Sequence, residues 1–104
     1  EGIGKGIDIA GKEGDAVFAA AAGKVVYSGG GLIGYGNLII VKHNQSVLSA
    51  YGYNRDLLVG EGDLVSAGQR IASMGLGPER RPLLHFEIRV DGKPADPLGF
   101  LPTQ

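Results

Sequence analysis

LLHFEIRV, Leu83 to Val90, is the stretch on which the fold turns. Leu84, Phe86, Ile88 and Val90 fall on one side of it, and Leu83, His85, Glu87 and Arg89 on the other. Alternation of period two is the mark of a strand with one face toward a core. The same reading, carried outward, finds strands at GIDIA (6–10), DAVFAA (15–20), KVVYSG (24–29), NLIIVKH (37–43), SVLSAYGY (46–53) and QRIASM (69–74). No stretch keeps a helical period for the length of an ordinary helix. The 19 glycines are separated by β-branched runs, which places them in tight turns between short strands. HNQS (43–46) reads as a hairpin and DGK (91–93) as a tight turn. DPLGFLP (96–102), with its two prolines, reads as an irregular strap across the surface. The expected fold is all-β, a small antiparallel β-sandwich or barrel-sandwich hybrid with glycine-rich turns, forming a single domain over 1–104. Its expected buried set is Ile7, Ile9, Val17, Val25, Leu38, Ile40, Ile71, Leu84, Phe86 and Ile88.

An internal repeat supports that architecture. GDAVFA (14–19) resembles GDLVSA (62–67), and a glycine follows each, with Val26 or Ile71 three residues beyond it. Gly-Asp makes the turn in both copies, and the valine enters the core. Duplicated hairpins of this kind occur in barrel-sandwich hybrids, including biotinyl and lipoyl carrier domains. A carrier needs a modified lysine at an exposed hairpin tip. Lys24 and Lys93 are the lysines to consider, and the flanks of neither look like a modification site.

Composition excludes several functions. The chain has 104 residues, 43% hydrophobic and 20% charged, with a formal net charge of -1. That balance gives no electrostatic footprint for nucleic acid and no basic block for a membrane surface. No apolar run approaches the length of a membrane helix. Cysteine is absent, so disulfides are excluded. The opening stretch EGIGKGIDIA reads as the approach to a strand and not as a signal peptide. The chain is expected to be the C-terminal part of a longer envelope protein whose targeting segment lies upstream.

In GKGIDIAG, Ile7 and Ile9 point one way while Asp8 points the other. Two strands thus set one metal-capable group each, Asp8 and His85, opposite their apolar faces. An isolated aspartate in such a place ordinarily just meets solvent, and an isolated histidine makes a structural hydrogen bond. The order of motifs along the chain says more. GIDIA, AVFAAAAGKVVYSG, GYGNLIIVKHNQSVLSAYGYN, LLHFEIR and DGKPADPLGFL together resemble the LytM or lysostaphin type of zinc peptidoglycan endopeptidase over nearly the whole chain.

The resemblance implies a site, and this sequence departs from it. In active members a histidine stands four residues before the aspartate, another closes a Tyr-x-His motif, and the last strand reads His-x-His. Those three positions are Gly4, Tyr53 and Leu83 here. Asp8 and His85 match zinc-ligand positions; Tyr53 and Leu83 stand where catalytic histidines would be. A catalytic zinc needs three protein ligands and an open position for water. Gly4 leaves two. Tyrosine, with a reference pKa of about 10, is a poor general base at neutral pH, and leucine moves no proton. The expectation is a degenerate metallopeptidase site with no catalytic residue, no bound metal and no cofactor.

The resemblance is strongest to the catalytically inactive branch of the family, carried by GYGNLIIVKHN, LHFEIR and DPLGFLP. It implies a periplasmic protein, anchored to the outer membrane through an upstream lipidated segment. It also implies a non-enzymatic activator of N-acetylmuramoyl-L-alanine amidases in septal peptidoglycan splitting, with amidase and peptidoglycan as partners. The vacated groove is the expected partner site, formed by Asp8, Tyr35, Tyr53, Arg55, Arg81, Leu83 and His85. Tyr35, in the IGYGN loop, is expected to be exposed. Residual zinc endopeptidase activity and passive peptidoglycan binding are the alternatives. His43 reads as a surface turn residue, Asp15 and Asp63 as turn residues, and Arg80 and Arg81 as a solvated loop.

Overall fold

The computed structural model describes residues 6–97. Nine strands follow in chain order: β1 (Ile7–Ala10), β2 (Ala16–Phe18), β3 (Gly23–Gly29), β4 (Asn37–Lys42), β5 (Val47–Leu57), β6 (Leu64–Val65), β7 (Arg70–Leu76), β8 (Pro82–Val90) and β9 (Lys93–Ala95). They form one curled sheet in which every pairing is antiparallel, and no α-helix is present among the described residues. The all-β expectation holds. All seven expected strands appear, and the short β6 and β9 join them. Gly4 and the strap from residue 98 onward lie outside the described residues.

β8 is the hub, pairing with β1, β5, β7 and β9. Its neighbour β5 runs past its expected end and changes partner on the way. Val47 to Gly52 pair with β8, and Asn54 to Leu57 pair with β7. The change happens at Tyr53, which sits at φ 64 in the left-handed region. There β5 carries an extra residue against β4, since Asn37 faces Asn54 while Ile39 faces Tyr51. Asn54 clamps this bulge by donating to Asn37 O at 3.0 Å and Tyr51 O at 2.8 Å. Gly75 completes the corner: a β-carbon there would sit 2.6 Å from Tyr53 O, so only glycine lets β7 come this close.

The repeat is a real structural duplication. Asp15 Oδ2 accepts from Lys12 N, and Asp63 Oδ2 from Gly60 N, each at 2.8 Å. Gly14 and Gly62 both take left-handed φ, at 92° and 93°. One turn then docks on Met74 through paired backbone hydrogen bonds, and the other docks on Val25 in the same way. Val17 and Val65 enter the core from the two copies.

The core packs Phe86 and Ile88 of β8 against Tyr51, Ile39, Val41, Val17, Val25 and Ile71. Of the ten residues expected inside, Val17, Val25, Leu38, Ile71, Phe86 and Ile88 are buried. Ile7, Ile9 and Leu84 are half-buried, because β1 is the edge of the sheet. β4 needs a correction. Ile39 and Val41, both 0% exposed, carry its core face; Leu38 is buried as expected but on the opposite face, and Ile40 beside it is only half-buried. Four consecutive apolar residues carry no alternation from which to choose a face. His43 is also corrected, from surface turn to polar strut. Its Nδ1 lies 2.8 Å from Ala22 O and its Nε2 2.7 Å from Ser49 Oγ, which in turn lies 2.7 Å from the buried Tyr51 hydroxyl.

Phe86 stacks on Tyr51 with ring centroids 5.4 Å apart and is 2% exposed. Phe86→Ala is expected to cost about 3–5 kcal/mol through lost transfer energy plus a cavity. Urea unfolding of the two chains measures this, and a cost near zero would show that Phe86 does not hold the core.

Candidate functional site

On the outer face of β8, His85, Glu87 and Arg89 stand in line, as alternation requires. β1 places Asp8 directly opposite His85. His85 Nδ1 is 2.6 Å from Asp8 Oδ1, and Nε2 is 2.7 Å from Glu87 Oε2. Glu87 Oε1 accepts two hydrogen bonds from Arg89, at 3.1 and 3.0 Å. The Tyr35 hydroxyl donates to Glu87 Oε2 at 3.3 Å. Asp8, His85, Glu87 and Arg89 thus form a string of alternating charge. Its outer end is open, with the Asp8 side chain 60% exposed, whereas Glu87 is 3% exposed.

Two tyrosines close over His85. The ring of Tyr35 lies 6.0 Å from the imidazole and that of Tyr53 lies 6.3 Å from it. Gly52 faces His85 across β5, and its missing side chain leaves the space that Tyr35 fills. Tyr53 braces the loop that carries Tyr35: its hydroxyl donates to Gly34 O at 2.6 Å and its amide to Tyr35 O at 2.8 Å. Asp8, Gly34, Tyr35, Tyr53, Pro78 and His85 line a cleft of about 320 Å³. A second cleft adjoins it at Asp8 and Pro78, lined also by Glu79, Arg81 and Leu83.

The structure therefore brings Asp8, Tyr35, Tyr53 and His85 together, with Leu83 and Arg81 next door. Arg81 is exposed on its loop and pairs with Glu79 at 2.9 Å. Arg55 does not join them. Its guanidinium lies against Gly14 and pairs with Asp56 at 2.9 Å, and it lines neither cleft. Tyr35 is half-buried instead of exposed, because Glu87 draws its hydroxyl inward. Sequence reasoning missed Glu87 as the anchor of the site. The signal was its place two residues from His85 on the same face.

The donor set does not fit a catalytic metal. Asp8 and His85 are two ligands where a catalytic zinc takes three; Nδ1 of His85 is held by Asp8, and Nε2 faces Glu87 as the far nitrogen of a ligating histidine commonly faces a carboxylate. No group of three His, Cys, Asp or Glu side chains suited to a metal stands together among the described residues. The arrangement favours an imidazolium, which alone donates at both nitrogens.

Burial pulls the His85 pKa down, but hydrogen bonds to Asp8 and Glu87, with their charges, outweigh it and raise the value above 6.5. Burial, then the charge of Glu87, likewise keep the Tyr35 phenol above its ordinary 10.0. A histidine raised in the folded state adds stability that is full below the unfolded pKa and is lost as pH rises through the folded one. NMR titration should place the His85 midpoint above 6.5, and Asp8→Asn should lower it. The stability margin of the parent over His85→Gln should shrink as pH passes that midpoint; a margin flat across it would contradict the paired imidazolium.

With this geometry in view, comparison with known proteins is informative. The model of peptidase family M23 matches residues 2–97. Over 102 residues the chain is 59% identical to a lipoprotein NlpD/LppB homolog of Pseudomonas aeruginosa, covering 98% of the chain and 34% of that relative. It is 56% identical over 104 residues to murein hydrolase activator NlpD of Escherichia coli, covering 100% of the chain and 27% of that relative. The chain thus spans about a third or less of these two proteins. In the solved structure of the antimicrobial peptidase lysostaphin from Staphylococcus simulans, 33% identical, the match has a TM-score of 0.86 and covers 93% of this chain and 43% of that one. The likeness to lysostaphin-type domains read from the sequence holds in fold and in family, and the chain belongs to peptidase family M23.

Proposed function

We propose that this domain is a non-enzymatic activator of N-acetylmuramoyl-L-alanine amidases, acting in septal peptidoglycan splitting. One observation carries the reading: the cleft of a peptidase fold holds Tyr53 and Leu83 where the family resemblance expects catalytic histidines, and its remaining histidine is locked between Asp8 and Glu87. The relative named a murein hydrolase activator supports it. Relatives named lipoproteins support placement in the cell envelope, in the periplasm and tethered to the outer membrane through a segment upstream of a single domain over 1–104.

The cleft serves as the partner site, formed by Asp8, Tyr35, Tyr53, Leu83 and His85 with Arg81 at its rim. Tyr53 and His85 offer ring faces, and Leu83 offers apolar area. A segment of the amidase seated there relieves that enzyme's autoinhibition. Arg81 sits on an exposed loop, so its contribution is to encounter rate more than to final affinity.

Stimulation of a purified amidase on dye-labelled sacculi is the test. Tyr53→Ala and Leu83→Ala are expected to weaken activation by about 1–2 kcal/mol each if they anchor the partner, with circular dichroism unchanged. Tyr53→Phe removes only the bond to Gly34 O, and so separates ring contact from loop bracing. Arg81→Glu should weaken activation most at low salt. If cleft variants all activate like the parent while changes on the opposite face abolish activation, the partner uses another surface. Binding to sacculi with no effect on any amidase would instead make this a passive wall-binding module.

Metal content is a separate test. Elemental analysis after dialysis against a weak chelator should find no stoichiometric zinc, since Asp8 and His85 are two ligands where three are needed. One tightly held zinc per chain, with cleavage of peptidoglycan peptides, would make it a residual endopeptidase.

A further inference from the structure

Beyond Tyr35 the outer face of the sheet continues into another hollow, over β4 and the first half of β5. Leu38 and Ile40 of β4, with Leu48 and Ala50 of β5, make its floor. Leu32 and Tyr35 of the preceding loop make its wall, and the volume is about 250 Å³. None of the four floor residues belongs to the core cluster, so the sheet is apolar on both faces here. Ile33, at the crest of the same loop, is 99% exposed. A large aliphatic side chain so fully in water, beside an apolar floor, marks a contact surface.

One end of this hollow is basic. Strand pairing puts Lys24, Lys42, Leu48 and Arg89 in a single row across β3, β4, β5 and β8. Arg89 is committed to Glu87. Lys24 and Lys42 are exposed, directly opposite each other, and make no ion pair among the described residues. Like charges directly across a sheet repel, and an anion laid between them removes that penalty. The hollow is smaller than an ordinary small-molecule pocket, and room for one or two apolar side chains is what it offers. Glu87 and Arg89 also line it, but the Glu87 carboxylate is already taken up by Arg89, His85 and Tyr35, so the free surface of the hollow is mainly apolar.

We propose that this face docks a peptide segment of a partner protein in which an apolar side chain is followed by carboxylates, the apolar group filling the Leu38–Ala50 hollow and the carboxylates meeting Lys24 and Lys42. The surface shares only Tyr35 with the Asp8–His85 cleft, so it stands whether or not that cleft serves an amidase.

The test is an amide NMR titration of this chain with three probes: the capped peptide LEELE, its counterpart LKKLK, and a soluble disaccharide–peptide fragment of peptidoglycan. LEELE should shift the amides of Leu38, Ile40, Leu48 and Ala50 in a saturable way, less strongly as salt is raised. LKKLK and the wall fragment should leave them in place. Lys24→Glu with Lys42→Glu should weaken LEELE binding roughly tenfold or more. Ala50→Leu, which fills the floor, should abolish the response; if that variant unfolds, the lysine pair still decides. Equal responses to LEELE and LKKLK, shifts confined to the Asp8–His85 cleft, movement of the floor amides by the wall fragment alone, or no response to LEELE would each overturn the proposal.

Discussion

Glu87 sits in the middle of β8 with its carboxylate 3% exposed. An unpaired carboxylate buried so deeply costs several kcal/mol. Here four donors reach it: two from Arg89, one from His85 and one from Tyr35. Each comes at a structural cost elsewhere. Tyr35 must fold inward, and its loop then packs closely over Gly52, where an added β-carbon would lie 3.3 Å from Tyr35 O. His85 must turn one nitrogen inward, leaving the other for Asp8 on the edge strand. The next residues on either side, Phe86 and Ile88, point into the core. β8 is therefore covered on both faces, and a slip of one residue would drive Glu87 against Tyr51 and Phe86 into the loop. The register of this strand, the position of the loop and the shape of the cleft are one constraint.

That double coverage explains what the sequence revealed and what it withheld. The strands with clean alternation, β1 and β8, were readable with their faces. The Gly-Asp turns were readable in both copies because their chemistry is local, a carboxylate accepting an amide hydrogen bond three residues back. β4 was readable as a strand but not as to face, since Leu38, Ile39, Ile40 and Val41 are all apolar and both faces are covered. The end of β5 was hidden for another reason. Its continuation depends on Tyr53 taking a left-handed φ that non-glycine residues rarely adopt, held by Asn54 and by a hydrogen bond to a loop far away in sequence. Of the site, Asp8, His85, Tyr53 and Leu83 could be placed by motif order. The inward turn of Tyr35 and the departure of Arg55 toward Gly14 depend on long-range partners, which no local pattern records.

A metal site asks its histidine for a lone pair. The string Asp8–His85–Glu87–Arg89 asks for a proton on each ring nitrogen, and its charges alternate and sum to zero when His85 is an imidazolium. A divalent cation entering at Nδ1 must expel one proton and break the short hydrogen bond to Asp8, while the bond from Nε2 to Glu87 can stay in place. Asp8 and His85 would then supply two ligands where a catalytic zinc takes three. The site is a cleft walled by two tyrosines, with Tyr53 tying its loop to the sheet, and open at Asp8. Such a surface offers two aromatic rings and one open carboxylate to whatever enters it.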